Sequence, residues 1–169
     1  TDFTDEYAVT IEATTLNIAN GGVVESNEKG YPATKGPGSN GAVYDGASHG
    51  GYNGDNNKAP YDSTYEPSML GSGGGDNASR AGAGGGALKF VIYSDLTNNG
   101  TITANGGAGI NVGNYGGGGG SGGSIWIDTV GMNGNGVISA NGGSGKTEYW
   151  DRGGSGGGGR IAIYYSNGT

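Results

Sequence analysis

One short alternating motif returns at a near-constant interval, and this repeat limits the fold more than any other feature of the chain. Gly86-Ala87-Leu88-Lys89-Phe90-Val91-Ile92 recurs as Gly123-Ser124-Ile125-Trp126-Ile127-Asp128, and again as Gly159-Arg160-Ile161-Ala162-Ile163-Tyr164, with starts 37 and 36 residues apart. A second block follows the first two copies, where Gly100-Thr101-Ile102-Thr103-Ala104-Asn105-Gly106-Gly107 matches Gly136-Val137-Ile138-Ser139-Ala140-Asn141-Gly142-Gly143. A degenerate copy, Gly22-Val23-Val24-Glu25-Ser26-Asn27, comes after the alternating segment Val9-Thr10-Ile11-Glu12. Each unit reads as strand, turn, strand and glycine-rich return.

Alternation with period two puts Leu88, Phe90 and Ile92 on one face, with Ile125 and Ile127, then Ile161 and Ile163, at matching positions. In the second block Val24, Ile102 and Ile138 align, followed by the small Ser26, Ala104 and Ala140 and preceded by Ile18, Leu96 and Met132. If each repeat is one coil, equivalent residues stack about 4.8 Å apart. The expected fold is therefore all-β: a short parallel β-solenoid of about 3.5 coils forming a single domain, 1–169. Residues 1–30 make its first coil, 31–86 a long loop insertion and 87–169 the regular coils. Asn-Gly pairs at Asn20-Gly21, Asn99-Gly100, Asn105-Gly106, Asn135-Gly136 and Asn141-Gly142 mark corners expected to need positive φ. Asn-Gly before alternating apolar residues is also a hairpin signal, so a stacked antiparallel β-sandwich is the alternative topology.

Composition matters here because 43 of the 169 residues are glycine, while Leu, Ile, Val and Phe together number 24. A chain so poor in apolar residues falls in the range of disordered sequences unless its few hydrophobics are used economically. The glycine runs at 71–75, 82–86, 116–123 and 153–159 abut first-block strands at the same place in each unit, which a loose tether has no reason to do. We expect them to be ordered returns in a polyproline-II-like conformation, lying side by side because no Cβ intervenes. Fixing each glycine costs about 1–2 kcal/mol of backbone entropy, which only a cooperative hydrogen-bonded stack offsets. No Lys-Ser or Lys-Thr directly follows any of these four runs, so none of them is a phosphate loop.

The combination Gly-Gly-Ser-Gly-Gly-Ser-Ile-Trp-Ile at 119–127, Ile-Ser-Ala-Asn-Gly-Gly at 138–143 and Gly-Gly-Gly-Gly-Arg-Ile-Ala-Ile-Tyr-Tyr at 156–165 resembles the glycine-rich repeat segments of large secreted and cell-surface proteins. The 44–52 stretch, with Gly-Ala-Ser-His-Gly-Gly inside it, is similar to parts such segments carry before their repeats. The resemblance implies an extracellular location and a module within a larger architecture, and it brings no catalytic residues.

Charge and residue types exclude several functions. The net charge is −7, and its excess sits in the first 66 residues, so the basic stripe of a nucleic-acid binder is missing. No apolar run is long enough to insert in a membrane, and there is no cysteine for disulfides or zinc. His49 is the single histidine; no Ser-His-Asp or metal cluster assembles around it by spacing, and a structural role is expected. A flat threonine ladder for ice binding is also absent, since the outward columns read Val23, Thr101, Val137 and Glu25, Thr103, Ser139.

Three loops remain: 31–86, 110–115 and 146–152. Insertions in a solenoid collect on one side, commonly its binding side. Lys146-Thr147-Glu148-Tyr149-Trp150-Asp151-Arg152 sets adjacent aromatics among charges, a pattern suited to sugars, whose C–H faces stack on flat rings while charged groups take the hydroxyls. Tyr115 occupies the equivalent loop one coil earlier. The expected site is thus Tyr115, Glu148, Tyr149, Trp150, Asp151 and Arg152, in a non-catalytic module that binds polysaccharide or a cell-surface glycan, an accessory role beside a polysaccharide-degrading enzyme included. Without catalysis or a small ligand, the same chain reads as a stalk, adhesin or filament block, with neighbouring domains or copies of itself at its open ends. Tyr44, Tyr52, Tyr61 and Tyr65 are expected to pack a lobe within the insertion. No cofactor is expected; the carboxylates Asp45, Asp55, Asp62 and Glu66 suit Ca2+, although Asp55-Asn56-Asn57 lacks the alternate spacing of a calcium loop. Trp126, opposite in phase to its neighbours, is expected to pack beneath the glycine layer in column with Lys89 and Ala162.

Overall fold

The computed structural model describes residues 8–41, 44–54, 58–75, 80–112, 114–147 and 152–167. Its elements are β1 (Ala8–Ala13), β2 (Leu16–Ile18), β3 (Val23–Glu25), β4 (Ala87–Asn98), β5 (Thr101–Thr103), β6 (Asn111–Val112), β7 (Tyr115–Gly116), β8 (Ser124–Asn133), β9 (Val137–Ser139) and β10 (Arg160–Asn167). The protein is all-β, with no helix among the described residues. One open sheet runs β1-β4-β8-β10, with β2 also on β4, and a second runs β3-β5-β9; every pair in both is parallel. The antiparallel sandwich is excluded by that polarity, since among the described residues antiparallel pairing is confined to β6 with β7 and to a bridge between Thr147 and Arg152.

The repeats stack in the register their spacing demands. Val9, Leu88, Ile125 and Ile161 are successive partners, as are Ile11, Phe90, Ile127 and Ile163. On the facing sheet Val24, Ile102 and Ile138 do the same. Side chains from the two sheets meet in one core, in which Phe90, Leu96, Ile102, Ile125 and Ile127 are fully buried. One alignment is corrected: Leu16, not Ile18, precedes Leu96 and Met132 in their column, because Ile18 pairs with Asn98. The corner between β2 and β3 holds four residues where that between β4 and β5 holds two. A slip of two preserves which face each side chain takes, so alternation alone does not register it.

The Asn-Gly corners also work differently from expectation. Of the five glycines only Gly21 has positive φ (81°), and in the later unit the left-handed residue is Gly134 (107°). Gly100, Gly106, Gly136 and Gly142 are needed for closeness instead: a Cβ on Gly142 would lie 2.1 Å from the carbonyl oxygen of Gly156. The asparagines form a ladder of their own. Asn27 Oδ1 accepts the Asn105 N–H at 2.8 Å, and Asn105 Oδ1 accepts the Asn141 N–H at 2.7 Å, tying one rung to the next at the corner.

The glycine tracts are hydrogen-bonded throughout. Residues 116–125 are all buried, and the 117–123 stretch bonds to chain on every side. It meets Ser72 and Gly75, Gly82 and Gly85, Ala104 and Gly107, Gly143, Gly154 and Gly157, and Ala47, at 2.8–3.2 Å. Added Cβ atoms would strike a different neighbour at each step: Asp45 O at 1.9 Å from Gly118, Gly143 O at 2.0 Å from Gly119, Ala83 O at 2.0 Å from Gly120. No residue but glycine permits approach this close from so many directions. The insertion contributes its 44–54 and 69–75 stretches to this bundle through Ala47, Gly50, Gly54, Gly71 and Gly74.

Candidate functional site

Two small hairpins emerge where the glycine tracts turn. β6 and β7 form the first, and the second closes through the Thr147–Arg152 bridge and a Gly153 N–H to Lys146 carbonyl bond of 2.7 Å. They are tied together: the Lys146 N–H donates to the Gly117 carbonyl at 3.0 Å, directly after β7. The structure therefore brings the chain at Tyr115 and at Arg152 to one edge. Glu148, Tyr149, Trp150 and Asp151, the rest of the expected set, lie outside the described residues.

Tyr115 is 46% exposed, and two partners from outside the expected set accompany it. The Tyr44 ring lies parallel to it, within 4° and with centroids 6.4 Å apart. The guanidinium carbon of Arg80, a residue otherwise buried, stands 5.0 Å from the Tyr115 centroid and 5.9 Å from that of Tyr44. A cation against ring faces is attracted by the ring quadrupole, and desolvation strengthens that attraction. The backbone of both partners is anchored: the Arg80 carbonyl accepts from Ile110 at 2.7 Å and the Tyr44 carbonyl from Gly154 at 2.6 Å. Tyr44 adopts φ of 71°, a region that disfavours a residue with a Cβ and that recurs where ligands are handled. Tyr44 was visible in the sequence as one tyrosine of several. For Arg80 the signal was its isolation, a full charge between two glycine tracts with few side chains near in sequence to balance it.

The other expected residues sit elsewhere. His49 is fully buried, its Nδ1 2.7 Å from the Gly122 carbonyl and its Nε2 3.2 Å from Asp62 Oδ2. The two ring nitrogens thus face one oxygen on the central glycine tract and one on the insertion, and the histidine fastens the insertion to that tract. Burial acts to raise the Asp62 carboxyl, but hydrogen bonds from His49, Ser124, Ser63 and Ser68 outweigh it and hold the group below the ordinary carboxylate range. Tyr61 packs on His49 with ring centroids 4.6 Å apart, donates to the Leu70 carbonyl at 2.6 Å, and has its phenol pushed up by burial. Tyr52 and Tyr65 are exposed, so of the four tyrosines expected to pack a lobe Tyr61 is the one that packs inside the insertion. Asp45 receives the Asn40 side-chain amide at 2.6 Å, Asp55 lies outside the described residues, and among the described residues no three His, Asp or Glu gather as metal ligands. Trp126 is in register with Lys89 and Ala162 as expected, but what covers its ring is the Lys89 ammonium, 3.6 Å from the centroid.

No protein-family model matches the chain, and no curated protein or solved structure matches it either.

Proposed function

We propose that this chain is a non-catalytic, extracellular polysaccharide-binding module, built as a short parallel β-solenoid of about 3.5 coils with polyproline-II-like glycine returns. The constant register of the rungs and the hydrogen bonding of the tracts between them support the architecture. The observation that carries the function is the exposed Tyr115 ring paired with Tyr44 and backed by Arg80 at the hairpin edge. Such a surface offers a flat face for pyranose C–H groups with a charged donor at its side. Glu148, Tyr149, Trp150, Asp151 and Arg152 extend the site in this reading. Affinity electrophoresis across a polysaccharide panel tests it: Tyr115→Ala and Trp150→Ala should each release a retained band, and unchanged retention of both variants on every polysaccharide would remove the reading.

A second reading, a stalk or filament block, rests on the sheet edges. Val9 on β1 and Ile161 on β10 lie in the inward column yet are 56% and 43% exposed, because these are the two edge strands of the sheet among the described residues. Electron microscopy of purified protein tests it, end-to-end polymers being the expected sight and monodisperse particles the contrary one.

A further inference from the structure

The pleat that sends Phe90 and Ile127 into the core should leave the opposite face of the same strands polar. Toward the C-terminal ends of β4, β8 and β10 it does not. Val91, Asp128 and Tyr164 are successive partners across three strands, and Tyr93 and Val130 follow them on the outward face. Together with Tyr165 they line a groove of about 430 Å³, inside the size range of small-ligand sites. Tyr93 is 60% exposed, Tyr165 55% and Tyr164 42%, so the ring surface is offered to solvent.

Two of these rings are held by their hydroxyls. Tyr93 donates to the Glu12 carboxylate, and Tyr164 donates to the Tyr65 carbonyl at 2.8 Å. The Thr129 hydroxyl in the wall is likewise occupied, by the Ser94 and Gly131 carbonyls. Asp128 differs: its exposed carboxylate, in the middle of the groove, has no hydrogen-bond or ion-pair partner among the described residues. Among the described residues no lysine or arginine lines the groove, and the Lys89 ammonium is committed to Trp126 one column back.

We infer that this groove is a second saccharide site, selective for an amino sugar whose ammonium meets Asp128 while its ring lies on the tyrosines. Aromatic faces accept both the C–H face of a pyranose and a cation, and the Asp128 carboxylate in the groove selects a positive ligand over a uronate. It shares with the hairpin edge only the general class of ligand, and the two sites fail independently.

Calorimetric titration of the whole chain at pH 6 with a glucosamine oligomer, its N-acetylated counterpart and a galacturonate oligomer tests the assignment. The glucosamine oligomer should bind, the acetylated chain at least tenfold more weakly, and galacturonate not at all. Tyr164→Ala should abolish binding and Asp128→Asn should weaken it tenfold or more, whereas Tyr115→Ala should leave it unchanged. Asp128→Asn alters an exposed group without disturbing packing, so it keeps the test decisive even if Tyr164→Ala does not fold. No binding of glucosamine, equal binding of the acetylated chain, survival of binding in Asp128→Asn, or loss in Tyr115→Ala would each overturn the proposal. So would a concentration-dependent dimer abolished by Tyr164→Ala, which would make the face an interface between copies.

Discussion

The stacked sheets and the glycine bundle are parts of one hydrogen-bonded body held together in opposite ways. In the sheets, backbone bonds set the rungs and side chains supply the cohesion: Phe90, Ile102, Ile125 and Ile127 interdigitate between two faces. In the bundle few side chains enter, and backbone N–H and C=O groups bond directly across gaps that, as at Gly118, Gly119 and Gly120, no Cβ fits. The comparison shows how 24 large aliphatic and phenylalanine residues suffice for 169 positions. Half the structure does not use them. Burying peptide groups is tolerable only when they are paired, and the bundle meets that requirement by letting one tract bond to several neighbours.

The two halves should therefore respond differently to the same kind of substitution. Gly120→Ala, which sets a methyl 2.0 Å from the Ala83 carbonyl oxygen, should have the largest effect, a loss exceeding about 3 kcal/mol in urea titration, because backbone cannot yield as a side-chain terminus does. Phe90→Ala should cost about 3–5 kcal/mol through the cavity it leaves in the sheet core, with the fold retained. The junction of the halves should be sensitive to acid. The Asp62 carboxyl lies below its ordinary value in the folded protein, so its contribution is full above about pH 4 and fades as the pH falls through the folded value. Tm measured from pH 6 to pH 2 should fall more steeply for the native chain than for Asp62→Asn, and parallel curves would remove Asp62 from the account. Gly158→Ala is the smallest: its Cβ would meet nothing nearer than 4.0 Å, so stability should hold or rise by about 0.4–1 kcal/mol as the unfolded chain loses freedom. A large loss there would mean that glycine is required throughout the bundle for conformation rather than for closeness.

Much of the sheet region was legible because its signal is periodic. The 36- and 37-residue intervals fix the partners Leu88, Ile125 and Ile161 before any coordinates are seen. Ile18 was misplaced since a longer corner shifts the column by two without changing its phase. Within the bundle, order could be argued from the recurrence of the tracts, but not which tract touches which, because a glycine carries no side chain to encode a partner. The same gap hid the edge site: Tyr44 and Arg80 reach Tyr115 through glycine contacts that leave no pattern in sequence. The outward tyrosines of the large sheet were masked for another reason, as Tyr93 and Tyr164 continue alternating strands and read there as ordinary strand residues.

Amide hydrogen exchange resolved at individual glycines tests the account most directly. If the bundle is structure in its own right, the N–H groups of Gly118, Gly119, Gly120 and Gly122, each bonded to a neighbouring tract at 2.9–3.2 Å, should exchange as slowly as those of Ile125 and Ile127 in β8. Exchange at the rate of an unstructured peptide, beside a protected β8, would contradict it.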